Sequence, residues 1–112
     1  MGYYTAYGLS IHPDVGHSED KDKFYKELLE MNDNDCEVKE LIEEGGVFGK
    51  LYDIECDINS LAPKYPHLLI ILNGDGEEPG DNWQHRWKGT ESEYHEAMIP
   101  PFTNPNLQIP KL

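Results

Sequence analysis

The chain has few of the features that mark secreted or membrane-inserted proteins. It contains two cysteines, Cys36 and Cys56, and their separation fits reduced thiols better than a disulfide framework or a Cys-x-x-Cys motif. Its longest strongly apolar run is Leu68 to Leu72, whereas a membrane-spanning helix needs roughly 20 residues. The first residues lack the basic and apolar regions of a leader peptide, so we expect a cytoplasmic protein.

Basic residues are also scarce. Nine lysines and arginines stand against 22 acidic residues, which makes the formal net charge −13. Direct binding to DNA, RNA or anionic lipid requires clustered Lys and Arg, so the composition argues against these partner classes. A basic protein surface is the partner that such a negative field attracts, chiefly through a faster association rate.

Signatures of catalysis are missing as well. The chain has no Gly-x-Ser-x-Gly, and neither cysteine lies in a catalytic signature. The glycines between Asn73 and Asp81 are not followed by a lysine and lie among four carboxylates, which would repel a phosphate. These absences favour a binding protein without a cofactor over an enzyme.

Hydrophobic periodicity predicts the elements of a single domain. Alternation predicts a first strand from Tyr3 to His12, and a short strand is predicted from Val47 to Tyr52. Apolar residues at helical spacing predict three amphipathic helices. Their predicted limits are Ser18 as N-cap to about Met31, Asp35 as N-cap to Gly45-Gly46, and Asp53 as N-cap to Pro63, where the proline ends or kinks the helix.

The second half of the chain predicts a buried strand and a hairpin. Leu68 to Leu72 is apolar at every position, which is typical of a central strand covered on both sides. The stretch from Asn73 to Asp81 has the Asn-Gly, Asp-Gly and Pro-Gly pairs of a loop. A terminal hairpin is predicted from residues 83–88 and 92–99, with Gly89-Thr90 as its turn.

The order β-α-α-β-α-β-β-β favours a small two-layer α+β domain over residues 1–99. Its helices are expected on one face of a mostly antiparallel or mixed sheet that ends in the C-terminal hairpin. Four prolines punctuate residues 100–112, which predicts an extended tail outside the central strands.

Acidic residues concentrate in the helical half. Between Glu19 and Asp57, fourteen acids stand against five lysines. On the first two helices they fall mainly away from the apolar stripes, so we expect one continuous negative surface in water. Such a surface either maintains solubility alone or imitates nucleic acid and occupies the basic groove of an enzyme that handles DNA or RNA. The predicted partner-binding residues are Glu19, Asp20, Asp22, Glu27, Glu30, Glu37, Glu40, Glu43 and Glu44.

The loop after Leu72 offers a second contact and an alternative function, that of a metal-binding module or metal-dependent enzyme using Asp75 to Asp81 and nearby His85. Asn73, Asp75 and Glu77 alternate like the oxygen ligands of an EF-hand, but Glu78 and Gln84 occupy the positions that require Gly and Glu. A tight acidic turn therefore fits better than a metal site, and no metal ligand is assigned. The predicted second-contact residues are Asp75, Glu77, Glu78, Asp81 and Trp83.

The histidines and aromatic residues leave further alternatives open. His12 and His17 bracket Asp14, and His85 faces His95 with a three-residue hairpin turn or Tyr94 with a two-residue turn. The aromatic and tail side chains form either core or a second apolar contact surface, and the hairpin or tail could also join two copies of the chain. The side chains in question are Trp83, Trp87, Tyr94, Phe102, Leu107 and Ile109.

Two stretches give the chain a family resemblance. The opening Met1-Gly2-Tyr3-Tyr4-Thr5, and the segment from Gly74 to Asp81 followed by Trp83, resemble a loose group of small uncharacterised proteins of phages and other mobile elements. The residues around 33–46 and those after Ile99 are not covered by the resemblance. It implies a phage-like origin and a compact α+β fold, and it implies no catalytic residues. Small acidic phage proteins are often inhibitors of host defence, of the anti-restriction or anti-CRISPR type, and by analogy we expect such a role here.

Overall fold

The computed structural model of the chain describes residues 5–49, 51, 53–76, 82–96 and 102–109. Its helices and strands, in chain order, are β1 (Thr5–Pro13), α1 (Ser18–Met31), α2 (Cys36–Glu44), β2 (Gly46–Gly49), α3 (Ile54–Leu61), β3 (Leu68–Asp75), β4 (Asn82–Lys88) and β5 (Glu91–Glu96). The strands form one sheet in the order β2-β1-β3-β4-β5, and each neighbouring pair is antiparallel. The predicted α+β class is confirmed, with the antiparallel form of the sheet.

Strand β3 lies at the centre of the sheet, as its apolar run predicts. Leu68, Ile70 and Leu72 face the helices, and their side chains are fully buried. Leu69 and Ile71 face the other side and are also buried. Five consecutive apolar residues therefore reflect a strand that is covered on both sides.

The three helices cover one side of the sheet, which we call the helix face. Their buried residues recur every three or four positions, so each helix presents one apolar stripe to the strands. These residues are Phe24 and Leu28 on α1, Val38 and Leu41 on α2, and Ile54, Ile58 and Leu61 on α3. They pack with Leu9 and Ile11 of β1 in the main core.

The helix ends agree with the predicted limits, and two of the three predicted N-cap positions, Asp35 and Asp53, are confirmed, whereas that of Ser18 is wrong. Ser18 lies inside α1 and His17 precedes the helix, because the Asp20 amide already donates to the His17 carbonyl oxygen at 3.1 Å. Asp35 and Asp53 stand at the N-cap positions of α2 and α3 without a side-chain capping bond. Gly45 ends α2 in the left-handed conformation, at a φ of 80°.

The region around Pro63 forms a tight turn. Helix α3 ends at Leu61, and the chain continues as a single 3-10 turn over Ala62–Lys64. Proline lacks the backbone donor that a continuing α-helix requires, so the predicted helix end at this residue is confirmed.

The predicted loop from Asn73 to Asp81 is wrong at its start. Strand β3 continues through Asp75, and Asn73, Gly74 and Asp75 pair with Gln84, Trp83 and Asn82 of β4. The Gln84 amide donates to the Asn73 side-chain oxygen. These cross-strand contacts outweigh the low strand propensity of Asn, Gly and Asp. Residues 77–81 lie outside the described part of the chain.

The hairpin of β4 and β5 has a two-residue turn, Gly89-Thr90. Gly89 has a φ of 61°, and Lys88 pairs with Glu91 across the turn. Of the two predicted registers, this turn selects the one in which His85 lies opposite Tyr94. His95 lies opposite Gln84, so the two histidines do not face one another.

Residues 102–109, which we call the C-terminal segment, pack on the side of the sheet opposite the helices. We call this side the tail face. Leu107 is buried with Leu69 and Ile71, and Phe102 lies beneath the Arg86 guanidinium at 4.1 Å from its ring centre. The segment contains a 3-10 turn over Pro105–Leu107, capped by the Asn104 side chain. The predicted boundary at residue 99 lies outside the described residues.

Candidate partner-binding surface

The predicted acids of α1 share their surface with lysines. Residues 18–31 contain five acids and three lysines. Lys23 lies four residues after Glu19, and Lys26 lies four residues after Asp22 and four before Glu30. All five side chains are exposed, and opposite charges at this spacing are neighbours on a helix. The outer surface of α1 is therefore mixed in charge.

Two further acids of α1 contact basic groups of the same chain. The Lys64 ammonium lies 3.3 Å from the Glu27 carboxylate, which also accepts a hydrogen bond from the Tyr65 hydroxyl. These two contacts, that of Tyr65 first, lower the pKa of Glu27. His17 Nδ1 lies 3.5 Å from the Asp20 carboxylate. Both acids are half-buried, and each already contacts a basic group of this chain.

The turn between α1 and α2, together with α2, carries a denser negative charge. Residues 32–44 contain six acids and a single lysine, Lys39. Glu37 is half-buried, and its carboxylate lies against the Cα of Gly49 in β2. The other five acids are exposed, and we call them the acidic ridge: Asp33, Asp35, Glu40, Glu43 and Glu44.

A cleft of about 370 Å³ adjoins one end of the acidic ridge. Its polar lining includes Asp33 and Asp35 of the ridge and Asp53 before α3. Its apolar lining comes from Met31, Leu51 and Ile54. The ridge therefore continues into a concave, acid-rimmed surface beside the start of α3.

The structure describes two of the five residues of the predicted second contact. Asp75 ends β3 and is exposed, and Trp83 is half-buried on β4. Glu77, Glu78 and Asp81 lie outside the described residues. In the described part of the chain, no three His, Cys, Asp or Glu side chains are arranged to hold a metal ion.

The structure brings together a histidine and an acid that no sequence motif links. Glu55 of α3 places its carboxylate 2.9 Å from His85 Nδ1, and the imidazole lies parallel to the Trp87 ring at 3.8 Å. Tyr94 approaches the same imidazole edge-on, with ring centres 5.5 Å apart. The alternation of Trp83, His85 and Trp87 indicated a shared face, but the neighbouring acid lies thirty positions away.

The two histidines that bracket Asp14, His12 and His17, lie apart in the structure and have different neighbours. His17 stacks on His67 with ring centres 3.7 Å apart, and Asp14 lies between His67 and Lys88 at 3.4 and 2.8 Å. The hydrogen bond from Lys88 is the main cause that lowers the pKa of Asp14. His12 belongs to the tail face of β1, and burial lowers its pKa. This cluster joins the β1–α1 turn to His67, which precedes β3, and to Lys88, the last residue of β4.

Comparison with known proteins adds no relative. No protein-family model, curated protein or solved structure matches the chain. No helix in the described residues has the length and hydropathy of a bilayer-spanning segment. The resemblance to phage-encoded proteins stays a prediction, and a function has to be inferred from the fold and surface of this chain.

Proposed function

We propose that the chain is a small acidic binding protein, of the kind that phages encode, which inhibits a host nucleic-acid-handling or defence protein by occupying its basic surface. The acidic ridge is the observation that supports this proposal. Its five exposed carboxylates occur within twelve residues that include one lysine. Such a density approaches the repeated negative charge that a nucleic acid presents.

The ridge is better suited to this role than the surface of α1. On α1, Lys23 and Lys26 lie beside the exposed acids, so a basic partner would meet charges of both signs. Glu27 and Asp20 are already paired with Lys64 and His17. In the ridge, Lys39 lies four residues from Asp35 and from Glu43, but the other three acids have no lysine three or four residues away. A basic groove would therefore meet fewer competing cations on the ridge than on α1.

The expected mechanism is competition for phosphate-binding positions. Lysines and arginines that bind a nucleic-acid backbone would bind ridge carboxylates instead, and the negative field would accelerate the encounter. Binding should therefore weaken as salt concentration rises, because exposed charges are screened beyond about 8 Å at physiological ionic strength. The cleft beside Asp33 and Asp35 supplies a concave edge to the same surface.

A capture experiment with two matched variants tests the proposal. One variant replaces Glu40, Glu43 and Glu44 by Gln, and the other neutralises Glu19, Asp22 and Glu30 of α1 as Gln, Asn and Gln. Both remove three negative charges, so overall charge is equal. Each protein is immobilised and exposed to host extract at low and high salt, and captured proteins are then challenged with duplex DNA.

The proposal predicts a basic protein that is retained at low salt, released by DNA, lost with the ridge variant and kept by the α1 variant. Equal loss with both variants would mean that net charge, and not the ridge, retains the partner. Failure of the unaltered chain to retain any basic protein at low salt would contradict the proposal.

A further inference from the structure

A second surface lies at the far edge of the sheet from the acidic ridge. Helix α2, which carries most of the ridge, contacts β2. The second surface is built mainly on β4 and β5, at the other end of the strand order. We call this surface the aromatic face. It consists of Trp83 and His85 on β4, Tyr94 and Glu96 on β5, and Glu55 on α3.

The strand register brings these side chains into one group. Trp83 lies opposite Glu96 and His85 lies opposite Tyr94, so all four occupy the helix face of the hairpin. The Trp83 and Tyr94 rings are close to parallel, at 29°, with centres 6.0 Å apart. The Tyr94 hydroxyl donates to Glu96 Oε2 at 3.3 Å. Two aromatic rings are therefore flanked by carboxylates, Glu96 on one side and Glu55 on the other.

The base of the aromatic face is held in place by close packing. Trp83 lies across Gly74, where an added Cβ would come within 2.1 Å of the indole, and its ring meets Tyr7 edge-on at 6.2 Å. His85 is held between the Trp87 ring and the Glu55 carboxylate. A ligand would meet this base without first ordering it, which lowers the entropy cost of binding.

The upper part of the aromatic face is accessible to a partner. Tyr94 is 43% exposed, and the Glu55 side chain is 42% exposed. Trp87, two positions beyond His85, is only 1% exposed because it belongs to the core. The two Trp residues therefore differ in environment, and Trp83 is the one that reports on this surface.

We propose that the aromatic face binds the guanidinium group of an arginine side chain from a basic partner protein. A planar cation is attracted to the face of an aromatic ring, here that of the exposed Tyr94, and the carboxylates of Glu96 and Glu55 supply acceptors for its N–H groups. Arginine fits better than lysine because its guanidinium stacks on a ring and donates in a fork at the same time. The inference does not rest on the acidic ridge, because none of the five ridge acids belongs to the aromatic face.

The probe that tests this site is a capped tetra-arginine peptide, compared with tetra-lysine and tetra-citrulline peptides of equal length. Citrulline keeps the planar shape of arginine without its charge. Binding is followed by the Trp83 indole N–H signal in an NMR titration, and the backbone amide signal of the buried Leu28 on α1 is the internal reference. We expect a saturable shift of the Trp83 signal with tetra-arginine, a weaker one with tetra-lysine, and none with tetra-citrulline.

Four variants distinguish the site from general charge attraction. Tyr94→Ala and Glu96→Gln should each weaken tetra-arginine binding about two- to fivefold, the size of one exposed cation–π contact. Tyr94→Phe keeps the ring and should retain most of the affinity. Glu43→Gln removes the same charge at the other edge of the sheet and should leave binding unchanged.

The inference is overturned by any of three results. The first is no saturable Trp83 shift with tetra-arginine, and the second is an equal shift with tetra-citrulline. The third is a loss of affinity in Glu43→Gln that equals the loss in Glu96→Gln, which would indicate attraction by net charge. None of these results bears on capture of a partner by the ridge, so the two proposals fail separately.

Discussion

The two sides of the sheet are covered in different ways. On the helix face, seventeen described residues form one buried apolar cluster that includes all three helices. On the tail face, the buried apolar cluster has three members, Leu69, Ile71 and Leu107. Burial of apolar area dominates folding stability, so the helix face should determine whether the domain folds. The tail face should determine how one segment docks on a domain that is already folded.

Polar contacts supply much of what holds the C-terminal segment. Arg86 Nη1 donates to the Leu107 carbonyl oxygen at 2.9 Å, and the Glu91 carboxylate accepts from the Asn104 and Asn106 side chains at 3.1 and 2.8 Å. The Asn104 contact and the Asn106 contact are both exposed to solvent. Segments with few apolar contacts and exposed hydrogen bonds open at lower free energy than a core does.

The largest expected effect is a cavity on the helix face. Leu28 of α1 is completely buried, and Leu28→Ala should lower the free energy of unfolding by about 2 to 5 kcal/mol. Urea unfolding followed by circular dichroism measures this change. Met31→Ala, at an exposed position of the same helix, is the control and should change it by no more than about 0.5 kcal/mol. An equal loss of unfolding free energy in both variants would contradict the stabilising role of the buried α1 stripe.

The second expected effect compares an added methyl group on each side of the sheet. Gly74 is covered by the Trp83 indole, so Gly74→Ala should displace the ring and lower the free energy of unfolding by about 1 to 3 kcal/mol. Gly8 lies on the tail face, and an added Cβ there meets no atom closer than 3.6 Å. Gly8→Ala should be tolerated. Chemical denaturation and the Trp83 indole signal distinguish the two, and an undisturbed Trp83 in Gly74→Ala would contradict this packing.

A smaller effect is expected for truncation of the apolar anchor on the tail face. Leu107 is fully buried, yet Leu107→Ala should cost on the order of 1 kcal/mol, because the C-terminal segment can undock instead of enclosing a cavity. Hydrogen exchange should show faster exchange in residues 102–109, with β3 and the helices unchanged. If exchange accelerates throughout the sheet, the two sides are one cooperative unit.

Alkaline conditions should lower the folding stability through a residue of the helix face, Tyr65. Burial, followed by the hydrogen bond to Glu27, raises the pKa of Tyr65 to about 12 from its ordinary value of 10. The neutral hydroxyl is favoured by the fold, so this contribution is complete below pH 10 and is lost as pH rises through 12. Chemical denaturation at a series of alkaline pH values should show the decline, and Tyr65→Phe should reduce it. An identical decline in both proteins would assign it to other groups.

Acidic conditions should give the smallest effect, on the tail face. The hydrogen bond from His95 is the main cause that lowers the pKa of Glu93, and backbone amides of Asn104 and Thr103 contribute. His95 of β5 favours the charged carboxylate most, and the docked segment adds a smaller part through its two backbone amides. This stabilisation holds above pH 4.5 and is lost as pH falls below that value. NMR signals of residues 102–109 should shift toward undocked values in this range. Glu93→Gln should remove most of that pH dependence.

Local patterns predicted much of the fold because each pattern reports on a few neighbouring residues. The three- and four-residue spacing of Phe24, Leu28 and their counterparts placed all three helices. The continuous apolar run of β3 indicated a strand covered on both sides, and Gly89-Thr90 marked the hairpin turn. The limits of β3 could not be found in the same way, because Asn73 to Asp75 form a strand through contacts with β4.

The candidate surfaces were less accessible to sequence reasoning. The number of acids in the helical half was evident, but their availability was not: Lys64, which pairs with Glu27, lies thirty-seven positions away. The spacing of Lys23 and Lys26 relative to the α1 acids was visible in the sequence and could have indicated a mixed surface. The contact of Glu55 with His85 depends on where α3 crosses the sheet, which no local pattern specifies.

By itself, the sequence determined the class of domain, the order of its elements, its central strand and its strong negative charge, since composition and periodicity act over a few residues at a time. Tertiary structure decided which carboxylates remain available, which aromatic rings meet at the hairpin, and which side of the sheet receives residues 102–109. Those outcomes arise from packing and pairing between residues distant in the chain, whose partners are chosen only when the strands and helices assemble.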